Sequence, residues 1–175
     1  MARMDGPAIR FLVLDVDGVL TDGGLWFSAE GETLKRFDVH DGAAIRRFQK
    51  AGGVVGIISG RAHPALTRRA AELGIEHVRQ GVEAGSKLGS YESMLASWSV
   101  DETRVCVIGD DLPDLALMER CAVAVAVNNA LPAVKRRADY ITRRKGGEGA
   151  VAEVVDLLLS CGPSAQPRTP SKESR

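Results

Sequence analysis

Apolar residues fall along this chain in two recurring patterns. Short, partly β-branched runs at Phe11–Leu14, Val54–Ile58 and residues 105–108 each stop in a polar or glycine-rich turn, and such runs predict buried strands. Weaker runs at His77 and Val78, at 122–127 and at Tyr140–Ile141 predict further strands. Between them apolar positions recur at helical spacing. Residues 43–51 carry Ala44, Ile45 and Phe48 on one face and stop at Gly52 and Gly53. Pro64–Leu73 opens on a proline near its first turn and stops at Gly74. Helical spacing also covers 88–98, 113–120 and 150–159. Strands alternating with helices of about ten residues predict an α/β fold: three layers, αβα, with a Rossmann-like parallel sheet covered on both faces.

One segment breaks the alternation. Residues 25–27 and 33–37, separated by Glu30, Gly31 and Glu32, predict a β-hairpin over about 23–37. Trp26 and Phe27 would stand exposed on it, and apolar patches of that kind often mark interfaces. The expected organisation is a disordered N-terminus over 1–8, one domain over 9–161, and a disordered tail over 162–175, rich in Gly, Pro, Ser and charge.

Composition narrows the function classes. The 175 residues suit one domain with its own core, and 45% apolar content excludes wholesale disorder. The 23 basic and 23 acidic side chains cancel, which gives no support to a nucleic-acid or membrane-surface partner. No apolar run is long enough to span a bilayer, and Asp15 and Asp17 interrupt the first one where a signal peptide would need it unbroken. Cys106, Cys121 and Cys161 are widely spaced and unaccompanied by a metal-binding pattern, so buried free thiols and a cytoplasmic setting are expected.

Candidate chemistry follows from where the acids fall. In open α/β sheets, ligands sit beyond the carboxyl ends of the strands. Asp15 ends the first strand, with Asp17 two residues on; Ser59 follows the second buried run; Asp110, Asp111 and Asp114 follow the run at 105–108. Lys87 opens a helix after the weak His77 strand. Carboxylates gathered at one edge need a cation, and oxygen-only ligands suit Mg²⁺. A carboxylate there can attack phosphorus, and a second can act as general acid and base. Ser59 and Lys87 would hold phosphate oxygens. Plainer readings exist for several of these residues. Asp111 can be a helix N-cap with Asp114 favoured by the helix dipole, Ser59 a turn residue, and Lys87 a solvated lysine.

At Asp15-Val-Asp17-Gly-Val-Leu-Thr21, at Ser59-Gly60-Arg61, at Lys87 and at Asp110, Asp111 and Asp114, the sequence resembles the haloacid dehalogenase-like phosphatases, over almost all of residues 9–160. The resemblance implies Asp15 as nucleophile and Asp17 as general acid and base. It implies Mg²⁺ held by the Asp15 side chain, the Asp17 backbone carbonyl and Asp110, with Asp111 and Asp114 supporting. The stretch between Asp17 and Val55 is too short for a cap domain, and the hairpin fills it. Asp22-Gly23, Gly31, Glu32, Lys35, the segment from Phe37 to Gly42, Gln80-Gly81 and residues 138–142 and 146–150 resemble the capless sugar-acid phosphatases of that family. This implies a phosphorylated sugar acid as substrate: an octulosonate 8-phosphate, or a nonulosonate 9-phosphate as the alternative. It also implies a homotetramer in which the hairpin and C-terminal segment of one subunit reach a neighbour's active site. Asp38, Val39, His40, Asp41, Gly42, Arg46, Gly60, Arg61 and Arg69 would then lie near the substrate, alongside Asp17, Ser59 and Lys87. Arginine suits a substrate with both carboxylate and phosphate, although Arg46 and Arg69 also fit a solvated helix face. The chain departs from the subfamily's pattern at His40, Glu148 and Ala152 and in the extra residues 83–86.

A phospho-receiver signalling domain would gather similar residues, but its phosphoacceptor would stand on a middle strand. Ser59 lacks the surroundings of a serine-hydrolase nucleophile, and no phosphate-binding glycine loop follows a strand.

Overall fold

The structure, a computed structural model, describes residues 9–160. Its centre is a six-stranded sheet in the order β5-β4-β1-β6-β7-β8, with every pairing parallel. The strands are β1 (Phe11–Leu14), β4 (Val54–Ile58), β5 (His77–Arg79), β6 (Val105–Gly109), β7 (Val123–Ala126) and β8 (Tyr140–Ile141). The separate antiparallel pair is β2 (Trp26–Ser28) and β3 (Gly31–Leu34). The helices are α1 (Val39–Lys50), α2 (Pro64–Leu73), α3 (Lys87–Trp98), α4 (Leu115–Met118), α5 (Pro132–Arg137) and α6 (Ala150–Ser160).

Leu12, Val13 and Leu14 are all buried, as are Val105, Cys106, Val107 and Ile108 beside them. Consecutive buried residues mean that both faces of the sheet are covered, as parallel strands require. Helix α1 packs on α6 and α2, while α3, α4 and α5 pack together. Gly56 leaves room for Met94 and Trp98 of α3 against the sheet.

Strand order decides where the site lies. From β1 the chain adds β4 and β5 on one side, then crosses to add β6, β7 and β8 on the other. The carboxyl end of β1 is therefore the point at which the order reverses, where α/β sheets open a crevice. Asp15 stands there, and its N–H donates to the Ile108 carbonyl at 3.1 Å.

Some sequence expectations need correction. Helix α1 starts at Val39, not at residue 43, because Asp38 caps it and accepts from the His40 and Asp41 N–H groups. The helix expected over 113–120 is a 3₁₀ turn at Leu112–Asp114 followed by the single turn of α4. Helix α5 is missing from the sequence reading, since six residues are too few to show a helical period. Cys106 is a buried free thiol as expected, but Cys121 is only half-buried. Cys161, the N-terminus over 1–8 and the tail over 162–175 lie outside the described residues. Among the described residues, no helix is long and apolar enough to cross a membrane.

Candidate active site

The end of β1 supplies Asp15, only 9% exposed. Lys87, at the first position of α3, reaches across and donates to the Asp15 carboxylate at 2.7 Å and to Asp114 at 2.7 Å. This lysine is buried, so the solvated reading does not hold. The Asp110 loop closes the other side. The second Asp114 oxygen accepts from the Asp110 and Asp111 N–H groups at 3.0 and 3.2 Å, which turns Asp110 toward Asp15. Asp111 itself caps the following turn, accepting from Leu112 N–H at 2.7 Å, and is exposed.

Carboxylate oxygens of Asp15, Asp110 and Asp114 all lie within 4.8 Å of one another. Burial, and then the Asp114 charge, push the Asp15 carboxyl up to about 7 against the opposing pull of Lys87. Burial, and then the charges of Asp15, Asp114 and Asp111, push Asp110 up to about 8. Burial pulls the Lys87 ammonium down, but Asp15 and Asp114 more than offset it and hold its pKa above the ordinary lysine value. One buried oxygen of Asp110 has no hydrogen-bond partner. A partly buried cluster with three acids, one ammonium and an unmet carboxylate oxygen fits a divalent cation, whose charge would relieve the repulsion.

The turn carrying Asp17 is tied down from three directions. Gly18 has φ +93°, and a Cβ there would run into the Asp110 carboxylate, so only glycine lets the two segments approach. Thr21 Oγ1 accepts from the Gly18 and Gly23 N–H groups. Asn129, beyond β7, donates to the Gly18 carbonyl at 2.9 Å and accepts from Gly146 N–H at 2.7 Å. Asn129 escaped the sequence reading, although applying the strand-end rule to the weak run at 122–127 would have pointed to it.

Asp17 is ion-paired with Lys35 of the segment after β3, and Lys35 also pairs with Glu32 at 2.9 Å. Arg61 donates to Glu32 from Nε at 3.2 Å and from Nη2 at 2.7 Å. Ser59 is buried, and its hydroxyl donates to the Arg61 carbonyl at 3.0 Å and accepts from Arg61 N–H at 3.3 Å. Gly60 is exposed in the same turn.

The segment 38–42 behaves differently. Asp41 is buried, but its carboxylate accepts from Ala152 N–H at 2.8 Å, at the start of α6. Val39 and His40 are exposed, and Gly42 lies against the Arg69 guanidinium. Arg69 donates to the Asp38 carbonyl and to Glu72, while Arg46 donates to the Glu72 carbonyl. Among the described residues, none of these groups hydrogen-bonds to Asp15, Lys87, Asp110 or Asp114. Within this chain one oxygen of the Asp41 carboxylate is taken up by the start of α6, and the other is buried without a partner.

Comparison with known proteins matches this geometry. Residues 76–155 match the family model of the haloacid dehalogenase-like hydrolases. The 3-deoxy-D-manno-octulosonate 8-phosphate phosphatase of Escherichia coli is 45% identical over 151 residues, covering 86% of this chain and 79% of that protein. The chain belongs to the haloacid dehalogenase-like hydrolases. Two solved structures extend the likeness within this family. That of the Moraxella catarrhalis 3-deoxy-D-manno-octulosonate 8-phosphate phosphatase, in complex with magnesium, phosphate and KDO, has a TM-score of 0.83 at 37% identity, covering 87% of each chain. That of the cobalt-bound Haemophilus influenzae deoxy-D-mannose-octulosonate 8-phosphate phosphatase has a TM-score of 0.84 at 37% identity, covering 87% of this chain and 88% of the other.

Proposed function

We propose that the protein is a Mg²⁺-dependent phosphatase that hydrolyses 3-deoxy-D-manno-octulosonate 8-phosphate to the free sugar acid and phosphate. The observation that carries this reading is the buried Asp15–Lys87–Asp114 bridge at the switch point of the sheet, with Asp110 beside it. The Asp15 and Asp110 side chains and the Asp17 backbone carbonyl would hold Mg²⁺, with Asp111 and Asp114 as supporting acids. Bound there, the cation supplies positive charge against which a phosphate dianion can approach the carboxylates.

The residues of the chain then have separable tasks. Asp15 attacks phosphorus, forming an aspartyl-phosphate as the bond to the sugar oxygen breaks. Asp17 gives that oxygen a proton, then takes one from the water that attacks the aspartyl-phosphate. Lys87 holds Asp15 in place and faces the phosphate as a fixed positive charge. Ser59 would turn its hydroxyl from the Arg61 carbonyl toward a phosphate oxygen. Arg61, whose charge is close enough to that of Asp17 to interact, is an arginine on which the sugar-acid carboxylate could draw.

The fold unit is the domain over 9–161, with the hairpin in place of a cap. Leu25, Trp26, Phe27 and Leu34 are exposed on the hairpin, which supports a homotetramer with hairpin-mediated interfaces and substrate contacts from Asp38, Val39, His40, Gly42, Arg46 or Arg69 across them. A cytoplasmic location suits the free Cys106 and Cys121.

The test is phosphate release from the octulosonate 8-phosphate and from a nonulosonate 9-phosphate side by side. Faster turnover of the nine-carbon ester would move the substrate to the alternative. A single stable phosphorylation without turnover would favour the receiver reading.

A further inference from the structure

The hairpin does more than fill the space of a missing cap. Two-stranded hairpins are marginal in water by themselves, and this one leaves Trp26, Phe27 and Leu34 exposed. Charges on its inner edge hold it to its own chain. Lys35 is the central one. Its side chain is only 1% exposed, and it lies between the carboxylates of Asp17 and Glu32. Glu32 is fixed in turn by the Arg61 fork, and its backbone carbonyl lies 3.2 Å from His63 Nε2. A buried ammonium confined in this way has little rotamer freedom left, and it is aimed at the carboxyl group that the proposed reaction needs for proton transfer.

We infer that Lys35 is the positioning residue for Asp17, steering its carboxyl group toward the leaving oxygen and balancing the charge left on it. The inference rests on the phosphatase reading above. In the first step the Asp15 oxygen forms a bond to phosphorus while the bond from phosphorus to the leaving oxygen breaks. The Asp17 proton passes to that oxygen. Asp17 thereby returns to the carboxylate form in which it pairs with the Lys35 ammonium, so the charge is met without any rearrangement. When Asp17 later takes a proton from water, the charge is removed again. The same contact also gives the hairpin a catalytic reason to close on its own chain.

Two esters of similar shape but different leaving group separate positioning from simple hairpin docking. Nitrophenolate leaves readily without a proton, whereas phenolate depends more on one. In single-turnover experiments with Mg²⁺ present, Lys35→Met should slow phenol release from phenyl phosphate about 10- to 100-fold and nitrophenolate release from p-nitrophenyl phosphate by no more than about threefold. Lys35→Arg should recover most of the phenyl phosphate rate. Arg36→Ala removes a hairpin tie to Asp22 and the Gly147 carbonyl without touching Asp17, and should affect both esters alike. Equal losses on both esters in Lys35→Met, or the same discrimination in Arg36→Ala, would overturn the inference and leave the phosphatase reading standing. A native chain that cleaves neither ester nor any sugar-acid phosphate would overturn that reading, and the inference with it.

Discussion

Two segments of this protein look alike on paper and behave oppositely in the fold. Asp38-Val-His-Asp41 and Asp110-Asp111-Leu-Pro-Asp114 each carry closely spaced acids, and each opens a helical turn. In the first, each acid meets backbone N–H groups, although one buried Asp41 oxygen has no partner: Asp38 caps α1, and Asp41 accepts from the start of α6. In the second, Asp111 and Asp114 also accept from backbone N–H groups, but Asp110 stands beside Asp15 and Asp114, carboxylate facing carboxylate. A carboxylate answered by N–H donors stabilises a fold. One left facing other carboxylates creates a demand for a cation, and this demand marks the site.

The sharpest way to break that contrast is to remove one acid from each side. Asp15→Asn should abolish phosphate release, by about 10⁵-fold or more, while circular dichroism and thermal melting show the fold intact. Near-normal turnover would remove Asp15 from the nucleophile's role. Chelation should likewise stop turnover, with Mg²⁺ restoring it, and Asp110→Asn should weaken Mg²⁺ binding about 10- to 100-fold by calorimetry.

Lys87→Met tests the bridge between the acids. It leaves Asp15 and Asp114 buried without their ammonium, so denaturant unfolding should show a loss of about 3–5 kcal/mol as well as inactivity. On the other segment, Asp41→Asn should keep activity within about twofold and reveal a pH effect instead. Burial pushes the Asp41 carboxyl up to about 6, despite hydrogen bonds from the start of α6. The folded protein therefore holds that proton more tightly than the unfolded chain does. The associated stability is fully present below pH 4 and is lost as pH rises through about 6. Relative to Asp41→Asn, native stability should fall by about 2–3 kcal/mol between pH 4 and 7. Asp111→Ala is the smallest change, costing about 1 kcal/mol as a lost cap if its carboxylate serves the turn alone.

Much of this contrast was beyond the sequence's reach, and the residues show why. The runs at Phe11–Leu14 and Val54–Ile58 announce buried parallel strands, since a strand covered on both faces has to be apolar throughout. Given those strands, the strand-end rule points to Asp15, Ser59 and Asp110. Lys87 could be named but not told from a surface lysine, because its burial depends on a crossing between α3 and β1 that lies far apart in the chain. The surroundings of Asp41 were hidden for the same reason: its partner Ala152 is over a hundred residues away. Asn129 and Lys35 show their roles only through contacts with the Asp17 turn.

The sequence alone thus determined the α/β architecture, the hairpin in place of a cap and the set of acids near the strand ends. Those features rest on local periodicity and on the polarity of each turn, which neighbouring residues carry. Only the tertiary structure decided which acids meet backbone donors and which face one another and so want a cation. That depends on low-dielectric burial and on donors from distant segments, and it arises only when the chain closes on itself.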